Sequence, residues 1–100
     1  MTVIIKRPYS DLKVIEVKSK TLYDLEKELD INVKPIKIGN GLILLVQRDI
    51  EFDVPNMILQ DVTVYGTAYF IKAGQNRISE LSIDDFDYIR EMIQTENKDF

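Results

Sequence analysis

One hundred residues with 45% apolar side chains fit one domain that can bury a core of its own without disulfide or metal staples. The chain contains no histidine, cysteine or tryptophan, which removes thiol chemistry, imidazole metal ligation and histidine-dependent proton transfer. Its formal charge of −4 argues against a general nucleic-acid binder, which needs clustered Lys and Arg to neutralise phosphates.

The charge is unevenly spread. Residues 1–37 carry a net +2 and residues 38–100 a net −6, so an electrostatic partner of the second part should be basic. The run from Met1 to Arg7 places its charges after apolar residues, the reverse of a secretory leader. The longest aliphatic stretch, Leu42 to Val46, is five residues, where a spanning helix needs about 20. A cytoplasmic protein that does not enter membranes is the expectation.

In chain order, Thr2 to Lys6 reads as a strand rich in Val and Ile. Arg7-Pro8-Tyr9-Ser10-Asp11 is turn chemistry, with proline presetting φ and Ser and Asp able to bond the backbone. Leu12 to Lys18 reads as the returning strand. Its alternation breaks at Ile15 and resumes at Val17, which predicts a bulge or a change of buried face. Thr21 to Leu29 reads as a short helix capped by Thr21, with Asp24 in the first turn and Leu22, Leu25 and Leu29 along one face.

Lys34 to Ile38 reads as a strand that Pro35 confines to an edge unless Pro35 opens it. Gly39-Asn40-Gly41 is a hairpin turn, because these residues accept positive φ at low cost. Leu42 to Val46 does not alternate at all, the pattern of an interior strand covered on both faces. Gln47 to Asp61 is irregular, with Pro55 forcing an extended Val54. Val62 to Lys72 reads as the longest strand. One face carries Val62, Val64, Gly66, Ala68 and Phe70; the other carries Thr63, Tyr65, Thr67, Tyr69 and Ile71.

Ala73 to Asn76 reads as a loop. Leu81-Ser82-Ile83-Asp84-Asp85-Phe86 then opens the clearest helix: Ser82 at the N-cap, Asp85 at the capping-box position and Leu81 stapled to Phe86. Phe86, Ile89 and Ile93 form its buried stripe. The expected fold is an α+β domain over residues 1–95, with a mostly antiparallel sheet of about five strands and two helices in the order ββαβββα. Residues 96–100 should fray.

The order Gly39-Asn40-Gly41-Leu42, Val54-Pro55-Asn56, Val64-Tyr65-Gly66-Thr67 and Leu81-Ser82-Ile83-Asp84-Asp85 resembles a family of small uncharacterised domains encoded largely by bacteriophages, plasmids and related mobile elements. The resemblance covers most of the chain, with the N-terminal hairpin matching in pattern only. It implies a genetic setting and a fold. It implies no catalytic or ligand-binding residue, because the family has no assigned activity and Gly39, Gly41, Pro55, Gly66 and Ser82 have ordinary backbone roles.

Three residue sets are candidates for function. Asp84, Asp87 and Glu91 lie at i, i+3, i+7 on the last helix, away from its apolar stripe. Such a row can imitate phosphates toward a basic partner, or simply complement the helix dipole and face water. Tyr65 and Tyr69, with Thr63, Thr67 and Ile71, suit an interface with a foreign partner or a second copy, or a place under the first helix or in a second core layer. Asp49, Glu51 and Asp53 alternate and on a strand would share a face able to hold Mg²⁺ or Ca²⁺, but they lack the glycine and spacing of a calcium loop. A charged connection is the commoner explanation, and no metal or cofactor is assigned.

Catalysis has little to stand on. Ser10 and Ser82 have no histidine to activate them, and a Schiff-base lysine needs a desolvated pocket. Gly39-Asn40-Gly41 lacks the lysine and helix of a phosphate loop. The sequence therefore points to a non-enzymatic accessory protein of a phage or mobile element that binds a host or phage protein, for example to counter a host defence. The alternative is a binder of a nucleotide-like small molecule, with the tyrosines stacking on a base.

Overall fold

The computed structural model describes residues 1–48, 54–74 and 77–97. The elements are β1 (Thr2–Lys6), β2 (Lys13–Glu16), α1 (Leu22–Leu29), β3 (Val33–Gly39), β4 (Leu42–Gln47), β5 (Pro55–Leu59), β6 (Val62–Tyr65), β7 (Ala68–Gly74), β8 (Arg77–Ser79) and α2 (Ile83–Glu96). Every strand pairing is antiparallel. The main sheet runs β2-β1-β7-β4-β3, with β8 added beside β7, and β5 and β6 form a separate hairpin. The α+β class with two helices stands. The element order lengthens to ββαββββββα.

Three layers follow from the apolar pattern. Alternate residues of the main sheet face α1: Val3 and Ile5, Val33, Leu45, Tyr69 and Ile71, packed with Leu25. The intervening residues, Ile4, Leu42, Leu44, Ala68 and Phe70, meet Ile89 of α2 and Met57, Leu59 and Val64 of the hairpin. The unbroken run Leu42 to Val46 is explained by this placement. Strand β4 has β7 on one side and β3 on the other, and helices or hairpin cover both its faces.

At Ile15 the expected change of buried face occurs, without a bulge: Leu12 packs with the cluster under α2, and β1 and β2 pair regularly from Thr2↔Glu16 to Ile5↔Lys13. Ile15 and Val17 both face α1, while Val14 on the opposite side is 54% exposed. The long strand from Val62 breaks at Gly66, whose φ of 68° turns the chain. Its first half pairs with β5 and its second enters the main sheet. Of the loop expected at residues 73–76, Ala73 and Gly74 belong to β7, with Gly74 paired to Arg77 of β8, and residues 75 and 76 lie outside the described residues. At the C-terminus, Glu96 Oε1 accepts from Gln60 N at 2.6 Å, and Asn97 exchanges hydrogen bonds with both backbone atoms of Ile58. Residues 98–100 of the expected tail lie outside the described residues.

The helices are fixed by carboxylates at their ends. Glu28 accepts from Ser19 Oγ and from the backbone of Lys18 and Ser19, tying α1 to the end of β2. Asp85 accepts from Ser82 N at 2.9 Å and from Lys72 Nζ at 3.0 Å, completing the capping box of α2 and joining it to β7. The Ser19 hydroxyl above all, with the loop amides, holds the Glu28 carboxyl below its ordinary value of 4.5. The Ser82 amide, helped by Lys72, does the same for Asp85 below 3.8.

Both carboxyls are thus more acidic in the folded chain than in the unfolded one. Their stabilisation is complete above those ordinary values and is lost as pH falls through the lowered folded ones. The thermal midpoint should therefore decline in acid, and Glu28→Gln combined with Asp85→Asn should flatten the decline. An unaltered slope in the double variant would place its source elsewhere.

Candidate functional site

Helix α1 has eight residues, a length of about 12 Å at the standard rise. That is too short to roof the whole face of a five-strand-wide sheet. Leu25 is fully buried against that face. At the N-terminus of the helix, between it and β3, β4 and the paired ends of β7 and β8, a groove of about 690 Å³ stays open. Its floor is aliphatic, made by Leu22, Ile43, Ile71, Ala73 and Ile78. Tyr23, Pro35, Lys37 and Arg77 form its rim.

The electrostatics of this rim have one sign. Lys37 and Arg77 are exposed and make no ion pair among the described residues. Lys27 Nζ lies 4.2 Å from the centre of the Tyr23 ring, adding a third cation beside the opening. Tyr23 itself is 66% exposed, so its ring offers a free edge to a partner. An apolar floor under basic side chains can hold an apolar segment that carries carboxylates on its flank.

Of these residues the sequence singled out only Ile71 as a candidate for function, as part of the expected tyrosine face. They come from α1, β3, β4, β7 and β8, and only the sheet register brings them together. One signal was available: a two-turn helix as the only helical cover, among the described residues, for the face it packs on.

The residues expected to form an interaction surface are divided. Asp84, Asp87 and Glu91 are all exposed on α2 as the spacing predicts. Asp87 is paired with Arg90, Nη2 to Oδ1 at 3.1 Å, so the row is partly neutralised by its own helix. Tyr65 is 45% exposed on β6, next to Val62 and the half-buried Ile36 and Val46. Tyr69 is 7% exposed and packs in the core under α1, where burial pushes its phenol above the ordinary value. The expected tyrosine face does not exist. The turn at Gly66 separates the two rings, and β6 and β7 belong to different sheets.

Asp49, Glu51 and Asp53 lie outside the described residues. Among those described, no helix is long and apolar enough to cross a membrane. No family model, no curated protein and no solved structure matches this chain.

Proposed function

We propose that the chain is a non-enzymatic binding module that docks an acidic, amphipathic segment of another protein into the groove beside α1. The observation that carries this reading is the groove itself, an aliphatic floor whose lining charges, Lys37 and Arg77, are both basic and unpaired among the described residues. A leucine- or phenylalanine-sized anchor would fill the floor while flanking carboxylates meet the rim, the arrangement in which a few buried anchors supply most of an interface's energy. In the setting that the resemblance implies, the segment belongs to a host or phage protein, and occupying it would counter a host function such as defence.

The acidic row of α2 is the competing surface, and the two can be told apart by charge reversal. Tagged protein is used to capture partners from a bacterial extract, with bound proteins read by mass spectrometry. Lys37→Glu with Arg77→Glu should weaken capture of a near-stoichiometric partner by more than about tenfold, since like charges would face the carboxylates. Asp87→Lys with Glu91→Lys should leave capture intact. All four side chains are exposed, so neither variant should change the melting temperature much. The reverse pattern would move the docking surface to α2. A wild-type eluate with no enriched protein would overturn the reading.

A further inference from the structure

Lys6, the last residue of β1, stands at a second concavity. Two depressions of about 450 and 360 Å³ meet at Lys6, Asp11 and Ile93, between the β1–β2 turn, β5 and the second half of α2. Both volumes fall within the roughly 300–1,000 Å³ of small-ligand clefts. This cleft is more polar than the groove beside α1, with Lys6, Asp11, Asn56 and Arg90 set among apolar side chains.

Three features of it await a ligand. The Lys6 ammonium has three donors. It gives one to Arg7 O at 3.0 Å and one to Asn56 Oδ1 at 2.9 Å, which among the described residues leaves the third for the cleft. Burial lowers the affinity of this amine for its proton, partly offset by Asp11, so the cation is incompletely solvated. Arg90, on the wall of the smaller depression, uses Nη2 on Asp87 and keeps its other donors free among the described residues.

The third feature is Tyr9. Ser10 N bonds Arg7 O at 3.2 Å, closing a turn with Pro8 and Tyr9 at its centre. Tyr9 has a φ of 60°, at the position that a type II turn reserves for glycine. A bulky residue there is strained, and packing does not compensate, because Tyr9 is 90% exposed. Strain held without local repayment is characteristic of binding sites. The effect here is to hold an aromatic ring at the mouth of the larger depression.

We propose that this cleft binds a mononucleotide, with the phosphate at Lys6 and Arg90, the base against the Tyr9 ring, and a ligand hydroxyl or amino group donating to Asp11. The ligand must supply an anion for two cations, a donor for the Asp11 carboxylate, which makes no salt bridge among the described residues, and a flat face for an exposed ring. A nucleoside monophosphate supplies all three. This site is independent of the protein-docking groove, and each can fail without the other.

The test is a thermal-shift and amide-NMR titration with the four ribonucleoside monophosphates, alongside inorganic phosphate and adenosine as part-ligands. At least one nucleotide at millimolar concentration should raise the melting temperature and move the amides of Lys6, Tyr9, Asp11 and Arg90. Phosphate and adenosine should act at the same residues more weakly. Tyr9→Gly should raise the melting temperature of the free protein, because glycine enters this φ without strain. The same change should weaken the nucleotide about tenfold, the size of one lost base stack. Arg90→Gln should weaken nucleotide and phosphate but not adenosine. Silence with all four nucleotides would overturn the proposal. So would shifts scattered over surface lysines, or nucleotide affinity undiminished in Tyr9→Gly.

Discussion

Phe70→Ala should bring the protein to the edge of unfolding. Phe70 is fully buried in β7, the middle strand, directly opposite Ile4 of β1 and Leu44 of β4. Its ring belongs to the cluster with Ile89 of α2 and with Met57 and Val64 of the hairpin, so it contributes to every layer on that side of the sheet. Truncation removes the transfer free energy of the ring and leaves a cavity that an antiparallel strand locked on both edges cannot collapse to fill. The cost is about 3–5 kcal/mol. A domain of this size has a total stability of roughly 5–15 kcal/mol, so the loss is a large part of the whole. Urea unfolding should show a much lower midpoint with an unchanged slope. Phe70→Leu should cost about 1–2 kcal/mol, because most of the volume remains. Val14→Ala, on a residue that is 54% exposed, should stay within about 0.5 kcal/mol. A Phe70→Ala variant close to wild type would mean that this cluster is not the structural centre.

Such a core was legible because its signals are local. Leu42 to Val46 announced an interior strand, Ser82 with Asp85 announced a helix start, and Gly39-Asn40-Gly41 announced a turn whose three residues all take positive φ. Elements that depend on distant partners were not legible. The β5–β6 turn places Gln60 and Asp61 at φ of 48° and 63° without a glycine or asparagine to mark it. It is held instead by Glu96, which accepts from Gln60 N, and by Ile38 O, which accepts from the Gln60 side chain. Gly66 looked like a small residue inside a strand because a period-two pattern passes through it unchanged on either side. Only the pairing of β6 with β5 shows that the chain leaves one sheet for another there. The same gap explains the functional sites. Tyr69 was assigned to a face by counting, and the count was sound up to Gly66. The groove beside α1 and the cleft at Lys6 are each assembled from several elements, and their lining residues carry no common spacing along the chain.

The second large effect is expected at Asn56, a polar side chain only 8% exposed. Its Nδ2 donates to Lys6 O and to Gly66 O, both at 2.7 Å, and its Oδ1 accepts from Lys6 Nζ at 2.9 Å. One amide therefore joins β5 to the end of β1 and to the bend that divides β6 from β7. Asn56→Ala would strip two carbonyls of a donor and the Lys6 ammonium of one of its two acceptors among the described residues. Leaving such groups unpaired should cost about 2–4 kcal/mol, although the side chain removed is small. Asn56→Asp is the sharper variant, since it is nearly isosteric and keeps the acceptor for Lys6. It replaces the two donors with an oxygen that repels both carbonyls, so size cannot explain the loss that should follow at neutral pH. The damage should be local first. Amide exchange in β5 and β6 should accelerate before that of β4 and β7, because the hairpin meets the rest of the fold through this amide, the apolar contacts of Met57, Leu59 and Val64, and the end of α2. If Asn56→Asp retains wild-type stability and exchange, the amide is an ornament of the packing. If it loosens the hairpin selectively, the same hydrogen bonds that build the wall of the Lys6 cleft also decide whether the second layer stays attached to the sheet.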